Sequence, residues 1–266
     1  MDPRLSVSAV SSWRWSLEDD LAFWGDAGIE QVGLSFRKLE EAGIDHAVAR
    51  IRDAGLRVSN IVELGWWDLD ARSTWPAQQD RLLVAVQVAS ALGGCLVLTT
   101  GPAGSLEWDE AAAVLAEAIA PVRAAAASAG VPLTIEHTGP LRLDLSFVTT
   151  FRDGLDLARL LGVEVCMEIN SCFAERGLVA NIADAGPTLG HVQLSDFVIG
   201  SLCTPDRAVP GDGDIDLERT VGAVLAAGYA GAFELELVGP RIEAEGYGPA
   251  IRRAIAHLDA VFADLG

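Results

Sequence analysis

Short apolar runs alternate with longer amphipathic stretches from one end of the chain to the other. The short runs are rich in Val, Ile and Leu, which is typical of parallel strands that are buried on both faces. They predict eight strands, near Leu5–Ala9, Gln31–Ser35, Arg57–Val62, Cys95–Thr99, Pro132–His137, Glu164–Ile169, His191–Leu194 and Gly231–Leu237. The stretches between them predict eight helices, near Leu17–Ala27, Asp45–Ala54, Pro76–Leu92, Asp109–Ala129, Leu145–Leu161, Leu178–Ala185, Leu217–Ala227 and Gly248–Leu265.

The strict alternation of strands and helices predicts an α/β fold, a single (β/α)8 TIM barrel. Glycines such as Gly28 and Gly162 end most of the predicted helices just before the next strand. The connections that follow the strands are longer and irregular, as in the segment 200–214, which favours a functional site at the carboxyl ends of the strands. No linker or change in composition divides the chain, so we expect one domain over residues 1–266.

Composition narrows the class of protein. No apolar run reaches the roughly 18–20 residues that a membrane span needs, and Met1–Arg4 leads into a strand without a signal-peptide core. The four cysteines have neither metal-ligand spacing nor the density of a disulfide framework, so we expect a cytoplasmic protein. The net charge of −19 argues against nucleic acid and anionic membranes as partners. We expect a small-molecule substrate, and the sequence leaves open whether the chain forms a homo-oligomer.

Several predicted strands carry polar side chains where a barrel interior is usually apolar. Because alternate strand residues face the interior, these side chains can be sorted by parity into two layers. The upper layer would contain Glu136, Asn170, Gln193 and Glu236, and the deeper layer Thr134, Glu168, His191 and Glu234. Buried carboxylates are costly unless they are paired or bound to a cation, so the layers indicate a functional site.

A divalent cation would account for the upper layer. Two carboxylates and two amide oxygens are hard ligands suited to Mg²⁺ or Mn²⁺, with positions left for substrate oxygens. The alternative is a hydrogen-bonded polar cluster without a metal, since Asn and Gln carry no charge. The residues by themselves leave both interpretations open.

The segment Gly190–Asp216 combines a strand with a polar end, an arginine at position 207 and a Pro-Gly-x-Gly turn before the next helix. In these features the chain resembles the xylose-isomerase-like barrels of the sugar phosphate isomerase/epimerase superfamily, and the segment is most similar to hydroxypyruvate isomerases and ketose 3-epimerases. The resemblance spans the chain and implies Mn²⁺ or Mg²⁺ as cofactor, substrate contact by Arg207, and Glu136 and Glu236 as a proton-transferring pair. It implies four metal ligands, namely Glu136, Asn170, Gln193 and Glu236.

The chain departs from that family on strand six. The family motif is Asp-x-x-His, whereas this chain has Asn170 and Phe173. One alternative is a shifted register in which Glu168 is the ligand and the metal is held by the deeper set of Glu136, Glu168, His191 and Glu234. The other is a member with weaker metal affinity and a less sugar-like substrate.

Aromatic side chains are predicted at the mouth of the site. Trp66 and Trp67 follow a strand, and Phe173 follows the polar end of strand six. Tryptophans in such loops stack on a substrate or exclude water from it, and the alternative is that they pack loops onto the barrel rim. We also expect substrate contact by His191.

Together these features predict a metal-dependent isomerase or epimerase that moves a proton next to a carbonyl group of a sugar-like or other hydroxy-carbonyl substrate. A lyase or dehydratase using the same enolate chemistry is one alternative. A metal-free binding barrel is another, favoured by the neutral Asn170. The sequence leaves the substrate, the metal and the choice between isomerase and lyase open.

Overall fold

The computed structural model describes residues 1–266 and forms one closed barrel of eight parallel strands. Each strand pairs with the next along the chain, and the last pairs with the first. The strands are β1 (Leu5–Ser8), β2 (Gln31–Ser35), β3 (Arg57–Glu63), β4 (Cys95–Leu98), β5 (Leu133–Glu136), β6 (Glu164–Glu168), β7 (Leu189–Leu194) and β8 (Phe233–Leu235). This architecture confirms the predicted TIM barrel.

Twelve helices and four single turns of 3-10 helix lie between the strands or after the last one. The helices are α1 (Leu17–Ala27), α2 (Phe36–Ala42), α3 (Ile44–Asp53), α4 (Trp75–Leu92), α5 (Trp108–Ala118), α6 (Ala120–Ala129), α7 (Phe151–Leu161), α8 (Ile169–Cys172), α9 (Leu178–Ala185), α10 (Leu217–Ala226), α11 (Pro240–Glu245) and α12 (Tyr247–Leu265). The 3-10 turns are Ala9–Ser12, Arg72–Thr74, Pro140–Arg142 and Gly186–Thr188.

Three differences from the predicted elements have local causes. The helix predicted over 109–129 is divided into α5 and α6, because Pro121 lacks an amide hydrogen and fits only in the first turn of the second helix. Helix α7 begins at Phe151 rather than 145, where the side chain of Thr150 caps its first turn. Strand β6 ends at Glu168, and the chain turns directly into α8.

The apolar core lies between the barrel and its helices, whereas much of the barrel interior is polar. Ser6, Asn60, Thr134 and Glu234 are fully buried. Asn60 Nδ2 donates to Glu234 Oε2 at 3.1 Å, so one interior carboxylate is hydrogen-bonded across the barrel. A buried carboxylate needs such partners, and the polar interior therefore forms a connected network below the carboxyl ends of the strands.

No single helix is long and apolar enough to cross a membrane. One bent pair, α5 with α6, passes the same test of length and composition when the two helices are taken together across their 53° bend. Leu115 on α5 and Val122 on α6 are buried in the apolar core.

Candidate active site

A cavity of about 980 Å³ opens at the carboxyl ends of the strands. Three of its carboxylates and one guanidinium lie together, although they come from four separate segments of the chain. Glu136 ends β5, Glu168 ends β6, and Glu236 follows β8 directly, while Arg207 reaches the cavity from the loop after β7. Together these four side chains can carry out charge and proton chemistry.

Arg207 is held between two of the carboxylates. Its Nη1 donates to Glu236 Oε1 at 2.5 Å and to the main-chain carbonyl of Glu236 at 2.9 Å. Its Nη2 lies 3.6 Å from Glu168 Oε1. Burial opposes the charge on Arg207, but the carboxylates of Glu168, Glu236 and Glu136 outweigh it and raise the pKa of the guanidinium above its usual value. Arg207 is therefore a permanent cation at this site.

The loop that carries Arg207 is held by Asp196, two residues after the end of β7. One carboxylate oxygen of Asp196 accepts from the backbone N–H groups of Phe197 and Ile215, and the other from those of Gly211 and Gly213. A side chain at position 213 could not fit, because its Cβ would lie 2.2 Å from Asp196 Oδ1. Four charge-assisted hydrogen bonds on one buried carboxylate hold the loop on either side of Arg207, whose own backbone N–H donates to the carbonyl of Val238.

Glu136 and Glu236 differ in their surroundings. The carboxylate of Glu136 makes no hydrogen bond to the protein and is only 7% exposed, and burial together with the charges of Glu236 and Glu168 raises its pKa well above the usual value. Burial also raises the pKa of Glu236, although Arg207 opposes this shift. Two carboxyl groups in one cavity, both with raised pKa values, are suited to proton transfer near neutral pH.

Gln193 lies beneath Glu236 and does not line the cavity. Its Nε2 donates to Glu236 Oε2 at 2.9 Å and to Glu234 Oε2 at 3.3 Å. Its Oε1 is buried and has no hydrogen-bond partner. An unpartnered buried amide oxygen is uncommon in proteins, and it is an acceptor available to a donor or a cation.

Asn170 lies outside the strand on which the predicted upper layer placed it. The chain leaves β6 at Glu168, so parity along the strand does not apply to Asn170, which is on α8. Asn170 lines the cavity, but its Nδ2 donates to the main-chain carbonyl of Asp196 at 3.1 Å. The strand-six carboxylate in the cavity is that of Glu168, which accepts hydrogen bonds from the backbone N–H of Asn170 and the hydroxyl of Ser171.

The structure places the four residues of the alternative, deeper ligand set in two different environments. Glu136 and Glu168 face the cavity, whereas His191 and Glu234 form a buried pair with Nε2 and Oε2 3.0 Å apart. Burial opposes protonation of His191, but its contacts with Cys95 and Glu234 outweigh this and raise its pKa to about 10. His191 lines a separate cavity of about 560 Å³ at the amino-terminal ends of the strands. The expected substrate contact by His191 is therefore wrong for the active-site cavity.

The two adjacent tryptophans have different environments. Trp66 lines the cavity and is 58% exposed. Trp67 is 2% exposed, belongs to the apolar core and does not reach the cavity, so its predicted substrate contact is wrong. The two side chains follow the end of β3 at Glu63 and lie on different sides of this loop, so only one of the pair faces the site. Phe173 lines the cavity as predicted, beside Phe197 with ring centroids 5.8 Å apart.

Sequence reasoning missed some residues of the cavity. One is Phe197, which follows Asp196 directly. Another is Tyr247, the first residue of α12, which lies far along the chain from the polar end of β8. Glu63 and Arg81 form an ion pair on the cavity wall at 2.5 Å. The polar end of β3 at Glu63 follows the same pattern as the other strand ends, so this carboxylate could have been found from the sequence.

Comparison with known proteins gives the family. The family model described as xylose isomerase-like TIM barrel matches residues 21–261. The chain belongs to this family. The family assignment agrees with the resemblance found in the sequence and with the closed eight-stranded barrel.

Individual proteins that resemble the chain share only a modest sequence identity with it. An inosose isomerase from Halalkalibacterium halodurans is 27% identical over 118 residues, which are 42% of this chain and 41% of that protein. The protein SMc04130 from Sinorhizobium meliloti 1021 is 25% identical, with a TM-score of 0.88 over 97% of this chain and 98% of that one. The IOLI protein, solved with a binding zinc atom, has a TM-score of 0.83 over 99% of both chains. At 17% identity, its likeness concerns the fold alone.

Proposed function

We propose that the protein is an isomerase or epimerase that moves a proton at the carbon next to a carbonyl group of a hydroxy-carbonyl substrate. The observation that carries the proposal is that Glu136 and Glu236 line one cavity, both with raised pKa values, beside the fixed cation Arg207. An inosose isomerase is among the relatives of the chain, which supports the same reaction class.

The two glutamates would have complementary roles. Glu236 is hydrogen-bonded to Arg207 and Gln193, which favours its carboxylate form, so it is the better candidate to accept a proton from the substrate carbon. Glu136 has no hydrogen-bond partner and a pKa raised by burial, which favours a protonated form that can return a proton. Arg207 would stabilise the negative charge that develops on the substrate oxygens.

The chemistry of the donor set supports a divalent cation in the same cavity. Glu136, Glu168 and Glu236 bring three carboxylates against the single guanidinium of Arg207, and the buried Oε1 of Gln193 has no partner. As the side chains stand, no three acidic, His or Cys groups are close enough together to hold a metal ion, and Arg207 lies on Glu236. When bound, Mn²⁺ or Mg²⁺ would polarise the substrate carbonyl.

We therefore propose Glu136, Glu168 and Glu236 as the cavity groups that would hold the ion, with the unpartnered Oε1 of Gln193, beneath Glu236, as a further acceptor. Glu168 replaces Asn170 in this set because Glu168 is charged and its carboxylate faces the cavity, whereas the Asn170 amide is engaged with Asp196. A binding experiment with Mn²⁺, described in the Discussion, compares the two residues directly.

The reaction is tested by solvent exchange. The protein is incubated in D₂O with a panel of 2-ketoses, keto-glycosides and keto-cyclitols, with and without Mn²⁺, and deuterium in the recovered compounds is measured by mass spectrometry. We expect one deuterium at the carbon next to the carbonyl of at least one compound, together with the formation of its isomer or epimer. Loss of water from the deuterated compound would instead indicate the lyase alternative. No exchange with any compound under either condition would favour a binding barrel.

A further inference from the structure

The active-site cavity is lined in part by large apolar side chains from several loops. Trp66 follows β3, Leu141 follows β5, Phe173 follows α8 and Phe197 follows β7, and all four line the cavity. We call these four residues the apolar wall. Trp66 and Leu141 remain 58% and 64% exposed. Exposed large apolar groups around a cavity are typical of a ligand-binding surface.

The charged groups near the apolar wall are already paired with each other. Arg81 forms an ion pair with Glu63 at 2.5 Å, and Arg14 forms one with Glu243 at 3.0 Å. A sugar hydroxyl at these positions would have to compete with an existing ion pair. Among the carboxylates that line the cavity, that of Glu136 makes no hydrogen bond to the protein and is therefore free to bind a polar ligand.

The size of the cavity also indicates a ligand with a polar part and an apolar part. At about 980 Å³ it lies at the upper end of the roughly 300–1,000 Å³ that is usual for pockets holding drug-sized ligands. A single hydroxy-carbonyl unit beside Glu136 and Arg207 would leave the space next to the apolar wall unfilled. A ligand that fills the whole cavity has a polar end and an apolar end.

We propose that the substrate carries an aromatic or other flat cyclic apolar group attached to its hydroxy-carbonyl part, and that the apolar wall is the subsite for this group. This inference rests on the proposed function, since the hydroxy-carbonyl part is placed by Glu136, Glu236 and Arg207. The ring contributes affinity by burying apolar area against Trp66 and the Phe173–Phe197 pair.

The test compares two hydroxy-ketones that differ only in the group on the carbonyl carbon. Binding of 2-hydroxyacetophenone and hydroxyacetone is measured by calorimetric titration. We expect the aryl ketone to bind at least about tenfold more tightly, as burial of one aromatic ring predicts. Trp66→Ala and Phe173→Ala should each reduce this difference. Leu202→Ala is the matched control, because Leu202 is 90% exposed on the loop that carries Arg207 but lies outside the cavity.

Equal affinity for the two hydroxy-ketones, no binding of the aryl ketone, or an aryl preference that Trp66→Ala and Phe173→Ala leave unchanged would each overturn the inference. The same titrations with Glu136→Gln separate it from the proposed function. An aryl preference that persists in this variant, with no solvent exchange by the wild type on any ketone, would keep the subsite and reject the reaction. Solvent exchange on simple ketoses without any aryl preference would keep the reaction and reject the subsite.

Discussion

Arg207 donates hydrogen bonds to both the carboxylate and the main-chain carbonyl of Glu236. A loop residue is thereby connected to the residue that follows the last strand of the barrel, across two separate segments of the chain. The contact places the permanent positive charge of Arg207 beside Glu236, one of the two proposed proton-transfer groups. The ionisation of Glu236 therefore depends on Arg207 as well as on burial.

Arg207→Met should raise the pKa of Glu236 further, because burial would then act without the opposing charge. The acidic limb of the rate profile, which requires ionised Glu236, should move to higher pH, and kcat/KM at neutral pH should fall by about 10²-fold or more. The control is Arg142→Met, since Arg142 lines the same cavity but is paired with Asp144 at 3.0 Å. An acidic limb that does not move in Arg207→Met would show that the two groups are not coupled.

Glu168→Gln should weaken Mn²⁺ binding by at least about tenfold, because it removes one of three carboxylates from the proposed ligand set. Asn170→Ala should change the affinity little, since the side-chain amide of Asn170 donates to the main-chain carbonyl of Asp196. Calorimetric titration of both variants and the wild type gives the comparison. If Asn170→Ala weakens binding and Glu168→Gln has no effect, Asn170 is a ligand, as predicted from the sequence.

Asp196→Asn should loosen the loop that carries Arg207. An amide offers one oxygen where the carboxylate accepts four backbone N–H groups, so at least one buried donor loses its partner, at a cost of about 1–3 kcal/mol of folding stability. Hydrogen exchange should accelerate at Gly211, Gly213 and Ile215, and kcat/KM should fall. Asp214→Asn is the control, because Asp214 accepts one backbone hydrogen bond, from Ile199, at an exposed position. Unchanged exchange in Asp196→Asn would mean that other contacts hold the loop.

The buried pair of His191 and Glu234 should make stability depend on pH. The pKa of His191 is raised from 6.5 to about 10 in the folded protein, so its contribution to stability is complete below pH 6.5 and is lost as the pH rises towards 10. Urea unfolding of the metal-free protein in chelator should show a fall in unfolding free energy across this range. The fall should be smaller in His191→Gln and unchanged in His46→Gln, whose histidine is exposed. Equal slopes for wild type and His191→Gln would exclude this role.

The fold could be predicted from the sequence because the strands are short apolar runs and most of the segments between them are amphipathic stretches of helical length. Glu136 was placed correctly in the cavity by parity, since β5 continues to that residue. Asn170 was misplaced because the change from strand to helix at Ile169 depends on tertiary contacts of α8 that no local pattern encodes. The sequence also could not show which of Trp66 and Trp67 faces the cavity, because no local pattern distinguishes two adjacent tryptophans in a loop.

The Arg207–Glu236 contact shows a second limit of the sequence. Position 207 lies in a loop whose path is set by the carboxylate of Asp196 and the close approach at Gly213. The distance between Arg207 and any carboxylate therefore depends on loop closure and not on strand register. Sequence similarity suggested that Arg207 belongs to the site, and the structure adds its partner.

The central claim is that Glu136 and Glu236 act as the proton-transfer pair, and the most direct measurement is the rate of solvent deuterium exchange in variants of each. With the compound that exchanges fastest in the wild type, Glu136→Gln and Glu236→Gln should each lower the rate by about 10²–10⁴-fold while circular dichroism shows an intact fold. Glu117→Gln on the exposed face of α5 should exchange at the wild-type rate. A folded Glu136→Gln or Glu236→Gln variant that exchanges at the wild-type rate would contradict the claim for that residue.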